Sequence, residues 1–89
     1  MEFDWDPAKS AATFRIRGFD FSYASRVFAG RRLEAIDARS DYGEVRIKAI
    51  GQVGPDILTV IYTMRGSTVR VISARRANRK ERNRWQASG

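Results

Sequence analysis

The sequence predicts an α+β domain: two short N-terminal helices, a twisted antiparallel sheet of about four strands, and a short C-terminal helix. Three observations predict it. Helical stretches bounded by aspartate and glycine fill residues 6–30. Strand-like alternation takes over from residue 32. A capping pair, Asn78 and Glu81, then opens a last helix beyond the final apolar run. Helices and strands that are segregated along a chain pack as layers, and here the helices are expected on one sheet face.

The elements follow in order. Phe3 to Trp5 alternates apolar and acidic residues and can add a short edge strand. Asp6-Pro7 is a helix start, with aspartate as the N-cap and proline at the first helical position, where its missing N–H costs nothing. Ala8 to Arg17 follows as helix and Gly18 stops it. Phe21, Ala24, Val27 and Phe28 share one helical face, so a second helix is read over 21–29, capped by Asp20 and stopped by Gly30. Both helices are short and depend on packing against something else. Leu33 to Ala38 reads as a strand and Arg39 to Gly43 as a turn. Glu44 to Ile50 alternates, with Val45, Ile47 and Ala49 on one side and Glu44, Arg46 and Lys48 on the other. Gly51 to Asp56 carries turn residues throughout and reads as a loop. Ile57 to Met64 is almost wholly apolar or β-branched, as in a central strand. Arg65-Gly66 reads as a two-residue hairpin turn, Thr68 to Ala74 as the next strand, and the last helix runs to about Gln86.

Composition narrows the function. The 89 residues form one domain, 1–89, with no cysteine and no histidine. That excludes disulfides, thiolate metal sites and a histidine general base. No apolar run approaches a membrane span of about 20 residues, and the acidic N-terminus is unlike a signal peptide, so a cytoplasmic protein is expected. Seventeen basic residues against ten acidic ones give a net charge of +7. The first six residues carry three acids and no base, whereas Arg75 to Arg84 carry six bases and one acid. Such asymmetry points to a polyanionic partner, most often nucleic acid.

No phosphate-binding glycine loop is legible, and Glu2, Asp4 and Asp6 lie close together but are better explained by capping and solvation than by a carboxylate metal site, so no metal or cofactor is expected. What remains is arginine, lysine and one well-placed carboxylate. These suit phosphodiester cleavage in RNA, where guanidinium forks neutralise the charge of the pentavalent phosphorane, a glutamate or a depressed lysine takes the proton of the 2′-hydroxyl, and the 5′-oxygen gains a proton. Arg75 and Arg76, at the end of a rigid strand, are the leading candidates. Arg65, Arg46 and Glu44 complete the catalytic set, and Lys48, Arg17, Lys9 and Lys80 are candidate RNA-binding residues. Each has a plainer reading: a solvated outer strand face for Glu44, Arg46 and Lys48, simple anion binding for Arg75 and Arg76, and an exposed hairpin tip for Arg65. Tyr62, Trp5 and Trp85 read as packing residues.

The whole chain resembles the BrnT family of bacterial toxins. The matching pieces are Phe3-Asp4-Trp5-Asp6-Pro7-Ala8-Lys9, Gly18-Phe19-Asp20-Phe21, Gly43-Glu44-Val45-Arg46 with Ile50-Gly51, and the block from Val60 to Arg82. The resemblance implies a RelE-like fold with helices on one side of the sheet. It also implies metal-independent endoribonuclease activity that halts translation and leaves a 2′,3′-cyclic phosphate. The implied partner is an antitoxin similar to BrnA, with a ribbon–helix–helix domain, which joins the toxin in a heterotetramer and binds operator DNA. The chain departs from the family in one place that matters. Ile16-Arg17-Gly18 stands where Lys-His-Gly is usual, and arginine cannot serve as a general base. Glu44 is the substitute candidate. An attenuated toxin, or a binding module without turnover, is the alternative. A DNA-binding regulator lacks support, since no helix-turn-helix spacing is present.

Overall fold

A five-stranded mixed sheet in the order β1-β5-β4-β3-β2 forms the frame of the molecule. Its strands are β1 (Glu2–Trp5), β2 (Arg32–Ile36), β3 (Ile47–Val53), β4 (Asp56–Arg65) and β5 (Thr68–Arg76). The computed structural model describes residues 1–37 and 43–89. Strands β2 to β5 are antiparallel neighbours, as expected, and β1 joins as an edge strand paired in parallel with β5. Between β1 and β2 lie α1 (Pro7–Arg17), α2 (Phe21–Ala24) and a 3-10 turn (Ser25–Ala29); α3 (Arg79–Ala87) closes the chain.

Local chemistry accounts for the helix ends. The Asp6 carboxylate accepts from the Ala8 N–H at 2.9 Å, and Gly18 closes α1 at φ 85°. Asp20 caps α2 through the Tyr23 N–H at 2.9 Å. The expected second helix is α-helical only to Ala24 and tightens to 3-10 beyond it. At α3 the Asn78–Glu81 capping box is formed in both directions.

The main core lies between the sheet and the N-terminal helices. Phe21, Ala24, Val27 and Phe28 pack on Ala49, Leu58, Val60, Tyr62, Val69, Val71 and Ala74. Phe28 meets Tyr62 edge to face, with ring centroids 4.9 Å apart.

Three expectations are corrected. The loop read over 51–56 is instead the end of β3, the start of β4 and a tight turn at Gly54-Pro55. Gly51 is a contact glycine: a Cβ there would lie 2.8 Å from Val27 Cβ, so the 3-10 turn crosses the strand only because no side chain intervenes. The hairpin turn is Gly66-Ser67, because Arg65 still pairs with Thr68 and Gly66 alone adopts positive φ, 62°. Finally, the helices do not share one face. Leu58 and Val60 point to α2, so Thr59 between them points away, and Thr59 is the residue that reaches Glu81 of α3. Helix α3 therefore covers the opposite face. The expected strand end at Ala38 and the expected turn over 39–42 lie outside the described residues.

Candidate functional site

The position of the site depends on a bulge in β5. Val71 pairs with Tyr62 and Ser73 with Ile61, leaving Ile72 as an extra residue. Val69 and Val71 face the N-terminal helices before the bulge, and Ala74 faces them after it. Unbroken alternation from Val71 would have aimed Arg75 at those helices. The bulge aims it at the α3 face and gives Arg76 the other side.

On the α3 face, Glu81 is the hub. Its side chain is 5% exposed. Arg75 donates to both carboxylate oxygens, Nη1 to Oε1 at 2.7 Å and Nη2 to Oε2 at 3.0 Å. Lys48 Nζ donates to Oε2 at 3.1 Å, and Thr59 Oγ1 and the Asn78 N–H each donate to Oε1 at 2.9 Å. The paired Arg75, followed by the other donors, outweighs burial and holds the Glu81 carboxyl well below the usual carboxylate range. The same bond raises the pKa of Arg75. Glu81 is thus a fixed anion and cannot accept a proton at neutral pH. Around it, Lys48, Arg75, Asn78 and Arg84 line a cleft of about 370 Å³, with Asp37 on its rim.

The same face extends toward the β4–β5 hairpin. Glu44 Oε2 lies 3.6 Å from Arg46 Nε, and its Oε1 lies 3.8 Å from Arg65 Nη2. These are ion pairs beyond hydrogen-bond length, so this carboxylate is held loosely. Glu44 and Arg46 precede β3, which begins at Ile47, rather than lying within it. Val45, expected in the dry row, is 60% exposed. Arg65 and Thr59 are six positions apart in β4, which separates the Glu44 group from Arg75 by about 20 Å of strand. Arg46 and Lys48 bridge that interval, so the charges form a stripe rather than one compact cluster.

The other candidates are dispersed. Arg76 faces the N-terminal helices, where its Nη1 donates to the Arg17 carbonyl at 2.8 Å and its Nε lies 3.7 Å from Asp56. Its guanidinium stands 5.2 Å from the Phe19 ring centroid. Lys9 and Arg17 are exposed on α1, a layer away from the stripe, and Lys80 is exposed on α3. Tyr62 is a core residue; burial, and then its 2.6 Å bond to Glu34, push its pKa up to about 12. Trp85 is buried against Gln52 and stacks under Arg31, whose guanidinium is 3.7 Å from the ring centroid.

Arg84 carries no signal in the sequence beyond its place in a basic helix. Glu81 was legible only as a helix cap. The signal for more was Thr59, a polar residue inside the most apolar strand, which implies a buried polar partner. The signal for the bulge was the Val71-Ile72 doublet, which breaks the alternation of β5. A larger cleft of about 540 Å³ lies beside Trp5, Pro7, Ser10 and Phe14, but Arg15 and Asp20 are its only charged lining and it offers no concentrated field for a polyanion.

Residues 5–81 match the sequence model of a family described as the ribonuclease toxin BrnT of type II toxin–antitoxin systems. The chain belongs to the BrnT family. The match runs from Trp5 through Glu81, so it contains the whole stripe except Arg84. A search of curated proteins finds no match to the chain. Among the described residues of this BrnT-family chain, no group of three or more Asp and Glu side chains is placed to hold a metal ion, and no helix is long and apolar enough to cross a membrane.

Proposed function

We propose that this protein is a toxin that cleaves RNA without a metal ion and so stops translation. The observation that carries this reading is the α3 face of the sheet, where Arg46, Lys48, Arg65, Arg75 and Arg84 gather around two carboxylates of opposite character. RNA lies along this stripe with its phosphates on the basic residues. Glu44, about 20 Å of strand from Arg75, lies too far away to take the proton of a 2′-hydroxyl attacking there. Water in the cleft therefore carries that proton away and supplies one to the leaving 5′-oxygen, while Glu81, fully bonded, stays ionised. Arg46 and Arg65 hold phosphate beside Glu44. Arg75 and Lys48 neutralise the charge that builds on the phosphorane. Lys80 extends the basic surface along α3. Arg76, Arg17 and Lys9, on the other layer, contribute long-range attraction and folding rather than chemistry. In this reading the partner in the cell is an antitoxin similar to BrnA, forming a heterotetramer that binds operator DNA through the antitoxin, in the cytoplasm.

The test uses purified protein, a defined RNA and a chelator, with analysis of the product ends. Products ending in 2′,3′-cyclic phosphate support the reading, and RNA left intact after long incubation with excess protein sinks it. One observation favours a second reading, an attenuated toxin that retains only binding: the chain has no histidine at all. In that case the same incubation leaves RNA whole, while binding persists and weakens steeply as salt rises.

A further inference from the structure

We infer that Glu81 is a positioning residue for the RNA-handling face, setting Arg75 and Lys48 so that their remaining donors converge with Arg84 on one phosphate. The inference rests on the ribonuclease reading. A cap needs only the Asn78–Glu81 exchange, in which the side chain accepts from one backbone N–H. Glu81 does much more than that. It is buried between two elements, accepts from Thr59 in the central strand, and brackets two cations from β3 and β5.

The donor count gives this arrangement a purpose. A guanidinium has five N–H donors and an ammonium three. Arg75 commits two to Glu81 and one, at 3.3 Å, to the Arg76 carbonyl. Lys48 commits one. Two donors remain on each, on side chains that can no longer swing freely. The Arg84 side chain lines the same cleft and makes no hydrogen bond or ion pair with the described residues. The cleft therefore holds two oriented cations and one uncommitted cation, facing Glu81 and the rim residue Asp37. Such a set suits a phosphodiester whose charge rises from one to two as the phosphorane forms better than three mobile side chains would, because its orientation is set before the ligand arrives.

The test compares the wild type with Glu81→Gln, Glu81→Asp and Arg84→Ala. Gln keeps an oxygen for Thr59 and Asn78 but removes the charge that holds Arg75 and Lys48. Asp keeps the charge and withdraws it by one methylene. On a defined RNA, kcat is expected to fall about 100-fold in Gln and about 10-fold in Asp. KM is expected to stay level or drop, because the Gln variant gains net positive charge. Arg84→Ala is expected to raise KM about tenfold and to lower kcat less than Glu81→Gln does, because Arg75 and Lys48 keep their orientation. Wild-type kcat in both folded Glu81 variants overturns the inference. So does a rise in kcat, which would mean that Glu81 competes with the phosphate. Should Gln fail to fold, the Asp variant and nitrogen NMR of wild-type Arg75 decide. Separate, slowly exchanging Nη signals support a held guanidinium, and averaged signals overturn it. Should the wild type leave RNA intact, the ribonuclease reading fails by itself and inorganic phosphate becomes the probe. Phosphate-dependent shifts of Lys48, Arg75 and Arg84 side-chain signals, with the separate Arg75 Nη signals lost in Gln, support the positioning role. No response at these three residues overturns it.

Discussion

Arg75 and Arg76 are consecutive in β5 and live in different halves of the molecule. Arg75 grips a buried carboxylate at 2.7 and 3.0 Å under α3. Arg76 lies 55% exposed under α1, closing the end of that helix through the Arg17 carbonyl and facing Asp56 at 3.7 Å. A cation at a helix C-terminus is a modest stabiliser. A bidentate pair to a buried carboxylate fixes the side chain that grips it, although Arg75 itself stays 35% exposed. The difference teaches that the tandem arginines of this chain are two devices: one builds the anion-handling face, and the other fastens a helix to the sheet.

Several changes would break or sharpen that contrast. The largest effect is expected from Arg75→Ala, which should lower RNA cleavage by about 100- to 1000-fold, measured as single-turnover rate on a defined RNA. Equal losses in Arg75→Ala and Arg76→Ala would erase the distinction between the two faces. Next comes Glu81→Ala, which leaves Lys48, Arg75 and Thr59 without their shared partner. Urea unfolding should show a loss of about 2–3 kcal/mol, because Thr59 and the Asn78 N–H lose a buried acceptor while Arg75 and Lys48, 35% and 28% exposed, regain water. Gly51→Ala tests the helix side with no change of charge. Its methyl would meet Val27 at 2.8 Å, so a loss of about 1–3 kcal/mol is expected, with the cleavage rate of the folded fraction preserved.

Acid titration separates the faces in another way. The folded pKa of Glu81 is depressed, so its contribution is complete above the ordinary glutamate value of about 4.3 and is lost as pH falls below that toward the folded value. Stability measured from pH 6 down to pH 2 should therefore drop in the wild type, and the slope should shrink in Glu81→Gln. An unchanged slope would mean that the Glu81 pairs are not formed in solution. The smallest effect belongs to Arg76→Ala: about 1 kcal/mol of stability, with cleavage within about threefold of wild type.

Much of the fold was legible because it rests on local rules. Asp6-Pro7, Asp20, Asn78 and Glu81 announce helix starts whatever the surroundings, and the apolar run in β4 announces a central strand. Gly51 was misread because a glycine in a turn and a glycine beneath a crossing helix look alike until Val27 is placed above one of them. The site was legible in its residue types and not in their grouping. Arg46, Lys48, Arg65 and Arg75 do share a face with Glu44, but they run along it. The carboxylate that Arg75 meets is Glu81, six residues away across a strand end and a cap.

By itself, the sequence determined the class of the molecule: an α+β chain with strong positive charge, no histidine or cysteine, and capped helices at set places, because composition and capping act over a few residues. The tertiary structure alone decided which charges meet. One extra residue, Ile72, reverses the phase of β5, and the pairing with β4 fixes the bulge at that doublet. That reversal brings Arg75 to Glu81 and leaves Arg76 to α1, because side chains on a strand alternate between faces and a single bulge exchanges them.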